Sequence, residues 1–231
     1  MELTVTQENL SRALSNVGRV ASTKTQLPIL SNILLRTDGS RLLVAATNLE
    51  IAATQYVGAK IAAPGAITIP ARLVSEFVSN LPKGNVELSV KNDHLHIKAG
   101  GYTSTINGIV ADDFPELPTI DEKSSIKYSI ATDDFKQAVS QTILTASSDS
   151  TRPVLTGIYW HSHEGYLYLA ATDGYRLAEK RLVETKSEVA AIIPATTLQE
   201  VLRTLSDDAN EVEILFDETQ VRFRAGEAEV T

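Results

Sequence analysis

The chain carries an internal repeat, in which one sequence pattern occurs twice about 125 residues apart. The spacing is 125 residues for the first two pairs of matching segments, 124 for the third and 126 for the fourth. The matching segments are 28–33 and 153–158, 45–48 and 170–173, 69–71 and 193–195, and 95–100 and 221–226. Nearly constant spacing predicts two homologous units with almost no insertion between them. The chain must therefore fold as a pair of similar domains.

Length and composition are those of a globular protein. The 231 residues are 43% hydrophobic and 22% charged, so each unit is large enough to bury a core of its own. The absence of cysteine excludes disulfides, thiolate zinc sites and cysteine nucleophiles. No apolar run approaches the roughly 18 to 20 residues of a membrane span, and residues 1–6 lack the features of a signal peptide. We expect a cytoplasmic protein.

Charge is distributed unevenly between the two copies. Residues 1–125 carry 11 Lys and Arg against 12 Asp and Glu, whereas residues 126–231 carry 10 against 17. The net charge of the whole chain is −8. Because phosphate binding is normally supplied by excess Lys and Arg, any contact with nucleic acid must be local, weak or topological.

The periodicity of apolar residues predicts a β-α-β-β-β order that occurs twice in each unit, with two helices packed on antiparallel sheets. In the first unit we predict strands at 3–6, 29–36, 41–46, 50–57, 66–69, 85–90, 94–99 and 102–106, and helices at 7–20 and 71–80. In the second unit we predict strands at 128–131, 154–161, 166–171, 190–193, 211–216 and 220–224, and helices at 133–146 and 196–205. The fold class is α+β.

Three helices show clear apolar faces. The predicted inward residues are Leu10, Ala13, Leu14 and Val17 in the first helix, Leu73, Phe77 and Val78 in the second, and Phe135, Val139 and Ile143 in the third. Residues 111–125, with two prolines and five acidic residues, form the predicted linker between domains 1–125 and 126–231. We expect the second unit to be incomplete, because it lacks counterparts of the 102–106 strand and of the linker.

Two His-x-His pairs, His94 with His96 and His161 with His163, place imidazoles on one face of a strand at a spacing that a metal could use. Structural zinc takes four protein ligands, and no third ligand accompanies either pair. We interpret all four histidines as hairpin residues and predict neither a metal nor a cofactor.

Three acidic doublets are candidates for paired catalytic carboxylates: Asp112-Asp113, Asp133-Asp134 and Asp207-Asp208. Each also has a structural interpretation, in a linker, at the first turn of a helix and in a turn, respectively. We favour the structural interpretation, because the protein surface is the usual place for aspartate. No phosphate loop or nucleophile elbow is present in the sequence.

Basic side chains are interleaved with Ser, Asn, Gln and Thr on or beside the predicted helices. These residues are Arg12, Arg19, Lys24, Arg72, Lys83 and Arg203. The pattern is typical of an ordinary solvated helix face, and it also fits a mildly basic lining inside an otherwise acidic protein.

The segment Ala171-Thr172-Asp173-Gly174-Tyr175-Arg176-Leu177 resembles a motif of the bacterial sliding clamps, the family of the beta subunit of DNA polymerase III. The resemblance extends to residues 27–32, 69–72, 111–115 and 152–157 and covers the whole chain. It implies the DNA-clamp (processivity) fold and a non-catalytic processivity factor. In this family two protomers of three domains each close head to tail around duplex DNA, with the helices lining the hole.

The resemblance also implies two sets of site residues. Lys24, which stands where Arg is more familiar, and Arg72 match positions that contact the DNA backbone. The central domain's half of a cleft for partner peptides is matched by Arg152, Leu155, Thr172, Gly174, Tyr175, Arg176 and Leu177. Tyr175 stands where some members have His. The implied partners are double-stranded DNA, the DNA polymerase III alpha subunit, the clamp loader and other proteins with clamp-binding motifs.

One departure from the family pattern matters most, since no counterpart of the third domain is present. We therefore expect a fragment that is monomeric, whereas the full-length protein would be a homodimer. A ring of three two-domain protomers is another arrangement, which the incomplete second unit disfavours. Two other functions remain open: a peptide-docking module that does not encircle DNA, and an enzyme that uses the acidic doublets.

Overall fold

The structure is a computed structural model that describes residues 1–21, 27–204 and 209–231. The chain forms two compact units. Unit 1 comprises Met1–Thr119 together with Glu227–Thr231, and unit 2 comprises Ile120–Gly226.

Unit 1 contains two antiparallel sheets and two α-helices. Its strands are β1 (Glu2–Thr6), β2 (Asn32–Asp38), β3 (Arg41–Thr47), β4 (Ala52–Gly58), β5 (Lys60–Ala63), β6 (Ala66–Pro70), β7 (Asn85–Lys91), β8 (His94–Ala99), β9 (Tyr102–Asn107) and β17 (Ala228–Val230). Its helices are α1 (Gln7–Val17) and α2 (Ala71–Ser79), with short 3-10 helices at Pro28–Ser31 and Ala111–Asp113. The strand orders are β5-β1-β7-β8-β9 and β17-β4-β3-β2-β6.

Helix α1 forms because apolar residues recur every three to four positions after Thr6. Leu10, Ala13, Leu14 and Val17 are all buried, as predicted. Thr6 occupies the N-cap position without a side-chain capping bond. The helix ends at Val17, earlier than predicted, where Gly18 is the C-cap residue.

Helix α2 lies beside α1, and the Gln7 side chain donates a hydrogen bond of 2.9 Å to the carbonyl of Val78. The predicted inward face of α2 is wrong at Leu73, which is 52% exposed. The buried residues are Ala71, Val74 and Val78, whose three- and four-residue spacing defines a different stripe. The small Ala71, rather than the large Leu73, begins the buried face.

Unit 2 repeats this arrangement. Its strands are β10 (Ile126–Ala131), β11 (Gly157–His163), β12 (Tyr166–Thr172), β13 (Leu177–Glu184), β14 (Ala190–Pro194), β15 (Glu211–Phe216) and β16 (Val221–Ala225). Its helices are α3 (Thr132–Ile143) and α4 (Ala195–Thr204), with a 3-10 helix at Pro153–Thr156. Within unit 2 the strands are ordered β13-β12-β11-β14 and β10-β15-β16.

The core of unit 2 is aromatic. The ring of Trp160, which is fully buried, lies 6.4 Å from Phe135, 5.6 Å from Phe216 and 6.0 Å from Phe223 between centroids. Phe135 and Val139 on α3 are buried as predicted, whereas Ile143 is half-buried. The α3 helix therefore contributes to the aromatic core through Phe135, whose ring contacts Trp160 and Phe223.

The predicted α+β class, with two β-α-β-β-β elements and two helices per unit, is confirmed. Three strands were not placed by the sequence. β5 is four residues long, and β13 alternates charged with half-buried residues, so neither shows a run of apolar residues. β17 lies 126 residues after the start of β9 and pairs with β4, so the expectation of no strand at this position was wrong.

Candidate functional site

An exposed apolar groove of about 360 Å³ lies on unit 2, at the end of the sheet where β12 turns into β13. Its lining is almost entirely hydrocarbon, contributed by the 3-10 helix and by strands β11 to β14. The lining residues are Val154, Leu155, Gly157, Tyr159, Ala170, Ala171, Thr172, Leu177 and Ile192. Apolar surface that remains open to solvent in this way is typical of a site that binds a partner or ligand.

Leu177 is the most exposed apolar side chain of the groove wall, with 69% of its surface accessible. It stands at the first position of β13 and pairs with Thr172 across the β12–β13 ladder. Leu155 lies opposite in the 3-10 helix, where its carbonyl accepts a hydrogen bond of 2.8 Å from the Ser147 amide. Backbone hydrogen bonding therefore fixes the positions of both leucines, of which Leu155 is half-buried and Leu177 is exposed.

Gly157 gives the groove its depth. A Cβ atom at this position would lie only 2.4 Å from Cγ2 of Ile192, a distance that real side chains do not tolerate. Glycine therefore allows β11 and β14 to bring Ile192 against the groove. Ile192 itself is 47% exposed.

A tight turn at 172–176 fixes the start of β13. The Thr172 hydroxyl donates to the carbonyl of Arg176 at 2.7 Å and accepts from the amide of Gly174 at 3.1 Å. Gly174 has a φ of +94°, a left-handed conformation that glycine adopts without steric cost. The turn thus places Leu177 beside Thr172.

Asp173 provides the electrostatic anchor of that turn. Its carboxylate accepts hydrogen bonds from the amides of Tyr175 at 2.9 Å and Arg176 at 3.0 Å, and it pairs with the Arg176 guanidinium at 2.9 Å. The backbone amides of Tyr175 and then Arg176 lower the pKa of Asp173 to about 2, with a smaller contribution from the Arg176 side chain. The turn is therefore charged and intact at neutral pH.

Arg152 lies close to the turn. Its Nη1 would stand 3.5 Å from a Cβ atom built on Gly174, and its Nε pairs with Asp149 at 3.0 Å. The hydroxyl and amide of Thr151, followed by Arg152, lower the pKa of Asp149. A guanidinium is thereby fixed near the rim of the groove.

The structure brings together part of the predicted cleft. Leu155, Thr172 and Leu177 line the groove, while Gly174 and Arg176 belong to the turn that positions them. Tyr175 is 96% exposed and is not among the residues that line the groove.

Sequence reasoning missed six lining residues: Val154, Gly157, Tyr159, Ala170, Ala171 and Ile192. Val154 and Gly157 lie in the motif segment around Leu155, and Ala170 and Ala171 directly precede Thr172. Their position next to predicted site residues in the sequence is the signal that could have identified them. Tyr159 and Ile192 required the pairing of β11 with β14, which places them opposite each other.

Of the predicted DNA contacts, Arg72 is described and Lys24 lies outside the described residues. Arg72 is on the exposed side of α2, where its Nε pairs with Glu76 at 2.8 Å. The hydrogen bond and charge of Glu76 raise the pKa of Arg72.

The four histidines lie in or beside the hairpins of β8 and of β11 with β12, as predicted. His96 contacts the Thr105 hydroxyl at 3.0 Å, and His161 lies 3.4 Å from Glu179. In the part of the chain that the structure describes, no three His, Asp or Glu side chains cluster as metal ligands would. Asp133 and Asp134 occupy the first turn of α3, Asp112 and Asp113 lie in a 3-10 helix, and Asp207 and Asp208 lie outside the described residues.

Across the described ranges, no helix has the length and hydropathy of a membrane span.

Comparison with known proteins gives a consistent result along the chain. The family model for the N-terminal domain of the DNA polymerase III beta subunit matches residues 1–118, and the model for its central domain matches residues 129–231. The beta sliding clamp of Bacillus subtilis is 32% identical over 237 residues, which cover 97% of this chain and 62% of the relative. That of Caulobacter vibrioides is 33% identical and covers 100% of this chain and 64% of the relative.

Solved structures agree with these matches. The DNA polymerase sliding clamp from Bacillus subtilis superposes with a TM-score of 0.93 at 30% identity, over 100% of this chain and 63% of that one. A sliding clamp from Bartonella birtlesii, solved bound to griselimycin, gives a TM-score of 0.92 at 30% identity with the same coverage. The chain thus spans less than two thirds of the length of these relatives. The clamp fold expected from the resemblance is confirmed, and the chain belongs to the DNA polymerase III beta subunit family, the bacterial sliding clamps.

Proposed function

We propose that this chain provides the N-terminal and central domains, 1–125 and 126–231, of a cytoplasmic DNA polymerase processivity factor. Such a factor encircles duplex DNA, has no catalytic activity of its own, and holds the replicative polymerase at its template through peptide contacts. The observation that carries this proposal is the open apolar groove beside the 172–176 turn in a chain of the sliding-clamp family.

The chemistry of the groove supports peptide docking. An extended peptide could bury one or two apolar side chains against Leu155, Leu177 and Val154, and the polar turn and Arg152 would remain at the rim. Apolar anchors in a desolvated pocket with a polar rim are the usual basis of peptide affinity. Sliding clamps from Bartonella birtlesii and Pseudomonas aeruginosa are solved bound to griselimycin, so clamps of this fold hold ligands. We propose the DNA polymerase III alpha subunit, the clamp loader and other proteins with clamp-binding motifs as partners.

The docking function predicts a specific loss on truncating Leu177. Leu177→Ala should weaken binding of a peptide from the alpha subunit by about tenfold, which corresponds to about 1.4 kcal/mol. Leu73→Ala, an exposed leucine on α2 of unit 1, is the matched control and should leave the affinity unchanged. Fluorescence anisotropy measures both; equal affinities for all three proteins would rule out this groove as the docking site.

The contact with DNA is proposed for Lys24 and Arg72. The carboxylate of Glu76 already compensates part of the positive charge of Arg72. We therefore expect the contact of Arg72 with the DNA backbone to be weak. Arg72→Ala should reduce the slope of log affinity against log salt by about 0.9, the value for one phosphate. Glu76→Gln should strengthen DNA binding, because it leaves the charge of Arg72 uncompensated. If both variants bind DNA as the parent chain does, Arg72 does not contact DNA.

Encirclement distinguishes the processivity factor from a docking module that works without DNA. The full-length protein should behave as a dimer and, once loaded, stay on circular DNA and leave linear DNA by sliding off its ends. Equal retention on circular and linear DNA would favour the docking module instead. Neither outcome depends on the affinity of the groove.

A further inference from the structure

A row of rings runs along the solvent-facing side of β11, beginning at the groove. Tyr159, His161 and His163 occupy alternate positions of the strand, whereas Ile158 and Trp160 point to the opposite face and are fully buried. Every second residue of a strand shares one face of its sheet, so the two imidazoles lie on the same face as Tyr159. Tyr159 lines the groove, and the two histidines do not.

Three of the rings on this face form a stacked column. The centroids of Tyr159 and His161 are 5.0 Å apart with their planes inclined by 10°, and those of His161 and Tyr168 are 5.5 Å apart with planes inclined by 18°. Tyr168 stands directly opposite His161 on β12. Parallel rings at these separations attract each other beyond the gain from burial alone. His161 is thus the middle ring of the column formed by Tyr159, His161 and Tyr168.

The imidazole of His161 is held from a third side by a carboxylate. Its Nε2 lies 3.4 Å from Oε1 of Glu179 on β13, and its side chain is only 21% exposed although it stands on the outer face of the sheet. Arg181, the next residue of β13 on this face, lies opposite Tyr168 and places its guanidinium over the ring of Tyr166 instead. Two rings and one carboxylate therefore fix the position of the His161 ring.

Tyr159 receives no comparable support from its other neighbours. The residues opposite it on the adjacent strands are Ala170, which has only a methyl group, and Ile192. Among the ring contacts of the described residues, Tyr159 makes a single one, with His161. The Tyr159 side chain is 42% exposed. The plane of this tyrosine ring is therefore set by the imidazole beside it and not by the rest of the groove lining.

A wall residue that is already ordered favours binding. When a side chain becomes immobilised on contact with a ligand, the lost rotamer freedom opposes association. The stack removes that freedom from Tyr159 before any ligand arrives. The same stack also keeps the ring from turning across the groove above Ala170.

We propose that His161 is a positioning residue for the groove of unit 2. It acts through Tyr159, whose ring it holds in the orientation that completes the groove wall, and it is itself held by Tyr168 and Glu179. This inference rests on the proposed function, since it takes peptide docking as given and adds a residue that lies outside the lining.

His163 is the matched control for His161. It has the same side chain, on the same face of the same strand, but it is 67% exposed. Its ring contacts only Tyr168, at 6.5 Å and with an inclination of 58°, and it makes no ring contact with Tyr159. A loss of binding that depends on the stack should therefore appear at His161 and not at His163.

The test measures binding of the alpha-subunit peptide to the whole 231-residue chain by fluorescence anisotropy. His161→Ala should weaken binding about fivefold, because Tyr159 must then be ordered by the ligand. His163→Ala should leave the affinity unchanged. His161→Phe should recover most of the loss, since it retains a flat ring between the two tyrosines. Urea unfolding of each variant checks that the chain remains folded, and Tyr168→Leu, which removes the outer ring of the column, should weaken binding less than His161→Ala does.

A double-mutant cycle identifies the residue through which His161 acts. In a chain that already carries Tyr159→Ala, the further change His161→Ala should produce no additional loss of affinity. A histidine that only stabilised the sheet would weaken binding equally in the two backgrounds.

Three outcomes would overturn the inference and leave the docking function intact. The first is a His161→Ala chain that binds the peptide as the parent does, while Leu177→Ala weakens binding. The second is an equal loss from His161→Ala with and without Tyr159. The third is binding by His161→Phe that is as weak as binding by His161→Ala, since the ring would then not matter. A parent chain that does not bind the peptide at all would remove the docking function together with the inference.

Discussion

The 47–51 turn of unit 1 and the 172–176 turn of unit 2 have the same hydrogen bonds and different surroundings. In each, a threonine hydroxyl bonds the carbonyl four residues on, at 2.9 Å from Thr47 and 2.7 Å from Thr172. The Asn48 side chain accepts hydrogen bonds from the amides two and three residues further on, and the Asp173 side chain does the same. The residues that follow are buried in unit 1 and exposed in unit 2. The two copies therefore share the backbone conformation of the turn and differ in whether the residues after it are buried or exposed.

The left-handed position of the turn illustrates the same point. Gly174 has a φ of +94°, and at the equivalent position Leu49 has a φ of +75°. A leucine in this conformation costs about 1 kcal/mol or more, so the hydrogen bonds of the turn must outweigh that strain. The side-chain oxygens of Thr and Asx, shared by both copies, are the determinants of the turn.

The largest expected effect concerns Phe114 of unit 1, which is buried against Leu34, Leu43 and Ala45. Phe114→Ala should destabilise unit 1 by about 3 kcal/mol, because it empties a cluster of packed apolar side chains. Tyr159→Ala, at the open face of unit 2, should cost less than about 1 kcal/mol. Amide hydrogen exchange should quicken in β2 and β3 for the first variant and change little in β11 and β12 for the second. Equal losses in the two variants would mean that both faces are covered.

A smaller loss of stability is expected at the site where unit 1 has Asn32 beside Thr68 and unit 2 has Gly157 beside Ile192. Gly157→Asn should cost about 1 to 3 kcal/mol, since its Cβ atom would clash with Ile192. Unit 1 accommodates Asn32 at the equivalent site because its amide donates to the Thr68 hydroxyl at 3.0 Å. The double variant Gly157→Asn with Ile192→Thr should therefore regain most of the loss in urea unfolding. A double variant no more stable than Gly157→Asn would contradict the equivalence of the two pairs.

The smallest effect is a change in pH dependence. The pKa of Asp173 is lowered to about 2 by the Tyr175 and Arg176 amides, whereas an unfolded aspartate titrates near about 3.9. Its contribution to stability is therefore complete above about pH 3.9 and is lost as the pH falls through about 2. Asp173→Asn, which copies Asn48, should remove this dependence from the urea midpoint while keeping the turn.

The reciprocal variant Asn48→Asp should introduce a similar acid-dependent loss into unit 1. Identical profiles for the parent chain and Asp173→Asn between about pH 2 and 4 would show that the carboxylate is not anchored as described.

The sequence predicted those helices and strands in which the spacing of apolar residues matches the spacing of buried positions. The four helices and most strands follow from apolar spacing, and the repeat relates one unit to the other. β13 was missed because it alternates charged residues with half-buried ones on an edge strand. The predicted inward face of α2 was wrong at Leu73, because the apolar spacing also fits the stripe of Ala71, Val74 and Val78, which is the one that is buried.

The site was only partly accessible to sequence reasoning. The motif resemblance located Leu155, Thr172 and Leu177, which do line one groove. Tyr159 and Ile192 are 33 residues apart and meet only through the register of β11 with β14. Nothing in the local pattern of either strand distinguishes these side chains from ordinary strand residues, and only the pairing of the strands shows that they are neighbours.

We propose that partner peptides bind the apolar groove of unit 2 and not the equivalent face of unit 1, where Phe114 is buried. The most direct measurement is backbone amide NMR of the chain during titration with an alpha-subunit peptide. Shifts should appear at Thr172, Leu177 and Ile192 and be absent at their counterparts Thr47, Ala52 and Thr68. Equal shifts in both sets, or shifts confined to unit 1, would contradict the claim.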